Sequence, residues 1–278
     1  MKKIDIMKFV MSFLVITIHV FAATGYTSCP IGFYIVNTIC RLAVPFFFLC
    51  SGYFCNVKSL KTIKRLTILY IMWSLIYSII VKFDIVSFLF KGYVYHLWYM
   101  VYSIYGLLLI HFLAKKIDIR YIVGLSFALY LPLYISNRLC GLTQFFFAVC
   151  LLSLGQYMKY KIALNKKTSI IILLLSIIGL VIEVNLIDTD VATYIFLIPS
   201  VFAIFDLLQD SKNDGAISLR KYSTLIYFNH VFVMSAILLI SDNPWVLLLL
   251  TSVVSLIASI LIVKLSNIKC CKFLKILY

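Results

Sequence analysis

Apolar runs close to the length of a bilayer crossing follow one another along almost the whole chain, and basic loops fall in every second gap between them. A soluble core has no room for so many consecutive Leu, Ile, Val and Phe residues. With 64% apolar and 13% charged residues, the chain also lacks the polar surface to coat a globule. Barrel strands would alternate polar and apolar residues, whereas these runs are continuous, so the expected class is all-α, a polytopic integral membrane protein. Roughly 20 residues per crossing gives about ten transmembrane helices. They are expected at 4–23, 34–54, 66–81, 94–113, 119–136, 142–158, 168–187, 191–208, 222–240 and 244–263, within one domain over 1–278. The third could extend to Phe90, and the pair around Thr189 is the least sharply bounded.

The net charge of +15 is a topology signal and not a nucleic-acid signal, because it is sorted by loop. Lys2, Lys3 and Lys8 are followed by Lys58, Lys61, Lys64 and Arg65, then by Lys115, Lys116 and Arg120. The pattern continues through Lys159, Lys161, Lys166 and Lys167, then Lys212, Arg220 and Lys221, and ends with Lys264, Lys269, Lys272 and Lys275. Among the cations, Lys82, Lys91 and Arg138 fall in the alternate gaps. The positive-inside rule therefore places both termini in the cytoplasm, which requires an even number of spans. Anionic lipid or an anionic cytosolic substrate is a second use for the same charge.

The MKK start is not read as a cleaved signal, since Phe21 breaks the small-x-small pattern before Thr24 and further spans follow. Cys40, Cys50, Cys55 and Cys150 lie in or near apolar helices and are expected in the core. Cys29 and Cys140 fall in outer loops and would pair only if the fold brings them together. Cys270 and Cys271 follow the last span as reduced thiols. No metal-ligand spacing, phosphate-binding glycine loop or GxSxG elbow is present.

The chemistry must come from a few polar groups inside apolar helices. Lys8 and His19 are eleven residues apart, which at ~100° per residue returns His19 to within ~20° of the Lys8 face, about 16 Å along the helix. Asp5 and Ser12 lie near the same stripe. Intramembrane ionisable groups are costly and face bundle interiors or wet cavities, so His19 is the first candidate. Arg41, in TICRLAVPFFFLCSGYF, cannot shed its charge and needs a partner: a substrate, or a fixed carboxylate such as Glu183. Pro45 is expected to kink this helix, and Ser51 and Gly52 to allow close backbone approach.

His96 opens the fourth span in YHLWYM, where Tyr93, Tyr95, Trp98 and Tyr99 resemble an interfacial belt and a solvated ring is the alternative to a binding role. His230 lies near the middle of the ninth span with Tyr227 at i−3, as a catalytic, binding or structural histidine. His111 is expected to be ordinary, and Asp206 to pair with a basic loop residue. Imidazole, with a reference pKa near ~6.5, suits both activating a hydroxyl and coupling transport to protons, and the residues alone leave the two readings level.

Taken together these elements resemble the membrane-bound acyltransferase family 3, a family of integral membrane O-acyltransferases. The resemblance is carried by Lys8 and His19 in the first helix, by RLAVPFFFLCSGYF, by KTIKRLTILYIMWSLIY, by the HLWY start of the fourth helix and by Tyr227 and His230 in a late helix. It covers nearly the whole chain in family order, as a stand-alone member without a fused esterase-like or racemase domain. It implies a ten-helix bundle that takes an acyl group, commonly acetyl from cytoplasmic acetyl-CoA as co-substrate, and passes it to a hydroxyl of a cell-surface or lipid-linked glycan. The location implied is the bacterial cytoplasmic membrane.

In that reading His19, Lys8 and Arg41 are catalytic, with Lys8 replacing the commoner arginine. His96, Trp98, Tyr227 and His230 bind the acceptor, while Lys58, Lys61, Lys64 and Arg65, with Lys8, hold the phosphates of acyl-CoA. His19 acts as general base or transient acyl carrier, and Arg41 stabilises the oxyanion. The partners are the lipid bilayer, the glycan acceptor and, if transfer is not completed alone, a separate extracytoplasmic transferase. The membrane half of serine racemase/transporter proteins is similar in its RxAVPFFF and SGYF pattern, which keeps transport of a small molecule such as serine as the alternative.

Overall fold

The computed structural model describes residues 2–25, 30–92, 94, 96–136, 140–161, 164–186, 193–209 and 217–278. All the regular structure among them is helical: α1 (Lys2–Thr24), α2 (Pro30–Thr38), α3 (Ala43–Phe54), α4 (Lys61–Tyr77), α5 (Trp98–Leu113), α6 (Ile119–Ser136), α7 (Cys140–Lys161), α8 (Lys166–Leu186), α9 (Leu197–Gln209), α10 (Ile217–Ile237) and α11 (Pro244–Leu265). Each expected span falls on one of these helices, the second being divided between α2 and α3. Among the described residues, six stretches are long and apolar enough to cross a bilayer, and α5 and α9 are shorter apolar helices.

The solvent these helices expect is visible in which face they bury. α11 turns Thr251, Ser255 and Ser259 inward and leaves Val246, Leu249, Val253, Ile257 and Leu261 exposed. α8 likewise buries Ser169, Ser176, Gly179 and Glu183 and exposes Ile171, Leu174, Leu175, Ile178 and Ile182. Water would reverse that pattern, whereas hydrocarbon favours it, because small and polar residues let helices approach and bond while apolar ones meet lipid. The chain is a polytopic membrane protein.

Two compact units are present, residues 1–44 with 208–278 and residues 45–207. In the first, α1 packs on α10 and α11 and against the turn that follows α2. Its apolar centre is Ile16 and Val20 of α1 with Ile226, Met234 and Ile237 of α10 and Leu247 of α11. Phe21 meets Trp245 edge to face at 5.4 Å.

In the second unit, α7 packs on α5 and α6. It also meets α3 through glycines, as the Ser51–Gly52 pair suggested. A Cβ added to Gly52 would lie 2.0 Å from the Leu152 carbonyl oxygen, and one added to Gly155 would lie 2.2 Å from that of Leu49.

The expected kink at Pro45 is a break. α2 stops at Thr38, a 3-10 turn covers Cys40–Leu42, and α3 begins at Ala43. Proline removes the amide that would bond the carbonyl four residues earlier, that of Arg41, so the disruption falls on the turn before the ring. The third span is also shorter than the hydropathy allows: α4 ends at Tyr77, and Ser87–Lys91 form a separate π-helical turn. The Asp84 carboxylate accepts from the amides of Ser87 (2.8 Å) and Val86 (3.4 Å), which starts that turn, and the Ser87 hydroxyl together with these amides holds its carboxyl below the ordinary value. Gly92, with φ +82°, closes it where a side chain would strike the Trp98 amide at 2.3 Å.

The hydrogen bonds of the second unit sort the loops by end. Gln156 and Lys159, at the end of α7, bond the carbonyl of Cys55, and His111 at the end of α5 bonds that of Val57, so three basic loops share one end. Tyr134 at the end of α6 and the start of α9 both bond Glu183 near the end of α8, which gathers loops poor in positive charge.

Candidate functional site

α1 runs unbroken from Lys2 to Thr24, so the helical geometry that joins Lys8 to His19 holds, with Lys8 and His19 both half-buried. Ser12, on the same stripe, turns its hydroxyl back to the Phe9 carbonyl at 2.7 Å and adds little to the site. Opposite His19 stands His230 of α10: the ring centroids are 5.2 Å apart with the planes tilted by 41°. Tyr227 lies 6.2 Å from His230, centroid to centroid.

His230 is fully buried, and its Nδ1 lies 3.1 Å from the Ile226 carbonyl of its own helix. That contact makes Nδ1 the protonated nitrogen of a neutral ring and leaves Nε2 as the basic one, an assignment inferred from geometry. Next to His230 in sequence, Asn229 ties α10 to α11 by donating to the Ser255 carbonyl at 3.2 Å and the Ser259 hydroxyl at 3.1 Å. Asn229 was not singled out in the sequence, although an amide within a long apolar helix is a readable signal.

Arg41 sits on the 3-10 turn that α1 contacts, in the same unit as His19. Its Nε donates to Asn37 Oδ1 at 2.6 Å. The carboxylate suggested for it is engaged elsewhere: Glu183 accepts from the Tyr134 hydroxyl and from the amides of Ile195 (2.8 Å) and Phe196 (3.1 Å). The Glu183 carboxyl thus caps the N-terminal end of α9, where free backbone amides and the helix dipole favour an acceptor. Asp206 is a parallel correction. Its carboxylate accepts from the Ser169 hydroxyl at 2.5 Å and the Leu164 amide at 3.3 Å, so a hydroxyl and a helix-start amide stand where a basic loop residue was expected.

The other candidates belong to the second unit. His96 is 1% exposed and packs edge to face against Tyr77 at 5.2 Å, so it is no solvated belt residue. Trp98 is half-buried between Phe48 and Tyr102, at 5.8 and 5.7 Å. Lys58, Lys61, Lys64 and Arg65 are exposed on the loop before α4 and on its first turns. The buried thiols of Cys40, Cys50, Cys55 and Cys150 are core residues as expected, and Cys270 and Cys271 are thiols with their sulfurs 3.6 Å apart. Cys29, Tyr93, Tyr95, Arg138 and Lys212 lie outside the described residues.

An all-helical membrane protein with two imidazoles meeting inside an apolar unit is the class that fold and site define. Residues 1–264 match the family model for an acyltransferase domain, and the chain belongs to acyltransferase family 3. Two curated relatives, both named amino-acid racemase and both from Enterococcus faecalis, are similar in part. One is 28% identical over 266 residues, 79% of this chain and 37% of its own length. The other is 30% identical over 152 residues, 46% of this chain and 22% of its own length. The chain thus spans well under half the length of these relatives. No solved structure matches it.

Proposed function

We propose that the protein is a membrane O-acyltransferase that moves an acyl group, acetyl in the simplest case, from cytoplasmic acyl-CoA to a hydroxyl of a cell-surface or lipid-linked glycan. The observation that carries this is the His19–His230 contact at 5.2 Å in a chain matched over 1–264 by an acyltransferase model.

His19 takes the proton of the acceptor hydroxyl as its oxygen attacks the thioester carbonyl. The carbon–sulfur bond then breaks, and the CoA thiolate recovers the proton from the imidazolium. His230 and Tyr227 orient the acceptor beside His19. Arg41, steadied by Asn37, faces the negative charge that develops on the carbonyl oxygen. Lys8 supplies a cation for the anionic donor on the His19 helix, and Lys58, Lys61, Lys64 and Arg65 are further donor-binding cations. His96 and Trp98 remain acceptor-binding candidates. The site is in the bacterial cytoplasmic membrane with both termini inside, in agreement with the loop charges.

The test is genetic and chemical. Deleting the gene should remove O-acyl groups from a surface glycan by mass spectrometry, and wild type but not His19→Gln should restore them. An unchanged glycan profile would count against the reading. One racemase-named relative matches 79% of this chain, and its tie to amino-acid chemistry keeps a second reading in which the protein transports a small molecule such as serine. Uptake of labelled serine by proteoliposomes without acyl-CoA would select it.

A further inference from the structure

Beyond α11 the chain forms a 3-10 helix, Lys269–Leu277, that the proposed reaction does not use. α11 ends at Leu265, and Ile268, extended at φ −76° and ψ 139°, turns the chain aside. The 3-10 helix then folds back against the end of α11, where the hydroxyls of Ser266 and Tyr278 hydrogen-bond at 2.7 Å. Had α11 run on straight, ~1.5 Å per residue would hold these two residues about 18 Å apart. Lys221 of α10 lies over the Tyr278 ring at 5.3 Å, so the segment is tied to two helices of its own unit.

The helix type sorts its residues. With three residues per turn, positions i, i+3 and i+6 stack in one row. Lys269, Lys272 and Lys275 make the first row and are all exposed. Cys270, Phe273 and Ile276 make the second, with Phe273 69% and Ile276 41% exposed. Cys271, Leu274 and Leu277 make the third, which is the least exposed and ends in buried Leu277. An α-helix would destroy this order, because ~100° per residue brings Ile276 to about 20° from Lys269 and mixes the first two rows.

One row against protein, one apolar and one basic call for three different neighbours. Water suits the lysines but not Phe273 and Ile276. A bilayer surface suits both rows, since acyl chains receive the apolar side chains and headgroup phosphates receive the ammonium groups. The location agrees. α11 is long and apolar enough to cross a bilayer, it exposes Leu261 and Leu265 up to its end, and the lysine row starts four residues later.

We propose that 269–277 is an interfacial helix that docks on anionic phospholipid, with Phe273 and Ile276 among the acyl chains and Lys269, Lys272 and Lys275 against the headgroup phosphates. Charge complementarity selects the anionic headgroup: each lysine held near the surface favours it about fivefold over a zwitterionic one. The proposal stands on the membrane placement of α11 and holds whichever reaction the chain performs.

The experiment uses the full chain in phosphatidylcholine vesicles with Cys270, in the apolar row, as its sole cysteine and carrying a bimane fluorophore. Quenchers are doxyl-labelled phosphatidylglycerol, doxyl-labelled phosphatidylcholine and a neutral water-soluble nitroxide. The lipid quenchers should act more strongly than the aqueous one, and the phosphatidylglycerol probe should associate about fivefold or more tightly than the phosphatidylcholine probe. Replacing Lys269, Lys272 and Lys275 together by Gln should bring that ratio to about one; the three side chains are exposed, so the variant should fold. Quenching mainly from water would overturn the interfacial placement. Equal association of the two lipids with the unsubstituted lysine row, or a preference that survives the triple variant, would overturn the headgroup assignment. Lipid quenching that disappears as protein density rises, with Cys270 cross-linking between copies, would give the face to a second copy of the chain and overturn the lipid.

Discussion

His19 and His230 meet at 5.2 Å although 211 positions separate them in the chain. α1 and α10 could have buried either face against each other; the one they share carries both rings, flanked by Ile16, Val20 and Ile226. Two imidazoles in an apolar setting are a costly arrangement for packing alone, where leucine would serve better. Replacing His230 by Phe, similar in shape but without ring nitrogens, should preserve folding and lower transfer by about 10²- to 10⁴-fold, the usual worth of a positioned acid–base group. Wild-type turnover in a folded His230→Phe protein would make His230 structural.

Lys8 lies about three helical turns from His19 on the same face. Lys8→Arg should be tolerated and Lys8→Ala should not. Loss of one charge-assisted contact costs roughly 1.5–3 kcal/mol, so KM for acyl-CoA should rise about 10- to 150-fold in the alanine variant. Steady-state kinetics at varied acyl-CoA would check this, and an unchanged KM would discard the role.

Gly52→Ala should lower the unfolding temperature in detergent, because its Cβ would enter the Leu152 carbonyl at 2.0 Å. Overpacking of this kind costs about 1–3 kcal/mol. Gly124→Ala is the control, since nothing lies within 4 Å of its added Cβ, and removing a helical glycine should be neutral or stabilising. Equal melting of the two variants would contradict the close crossing of α3 and α7.

How far the sequence reached depended on whether a feature was local. The Lys8–His19 stripe, the disruption ahead of Pro45 and the burial of Cys40, Cys50, Cys55 and Cys150 follow from periodicity and hydropathy, and the helices bear them out. Arg41 is bonded locally too, to Asn37 four residues back, an amide that the matching of opposite charges does not point to. Glu183 and Asp206 depart from the expected cation pairing for a related reason. Carboxylates were matched to cations, whereas the backbone amides that take them become available only once α9 starts at Leu197 and α8 at Lys166. The two exposed rows of 269–277 were not legible, since they separate only at three residues per turn and the α-helical period mixes them.

Topology can be checked without any enzyme assay. In a cysteine-free background, single cysteines at Lys91 and Asp242 should label from outside intact cells with an impermeant maleimide, and cysteines at Lys58, Lys116 and Lys269 should not. External labelling at Lys116 would break the ten-span arrangement.

The most direct measurement of the central claim follows labelled acetyl from acetyl-CoA in proteoliposomes of purified wild type and His19→Gln, with an accepting glycan inside. Wild type should bind acetyl-CoA and transfer label, while His19→Gln should bind it and transfer none, because an amide cannot carry the proton. No binding by wild type at millimolar acetyl-CoA, or most of the transfer surviving in a well-folded His19→Gln protein, would contradict the account.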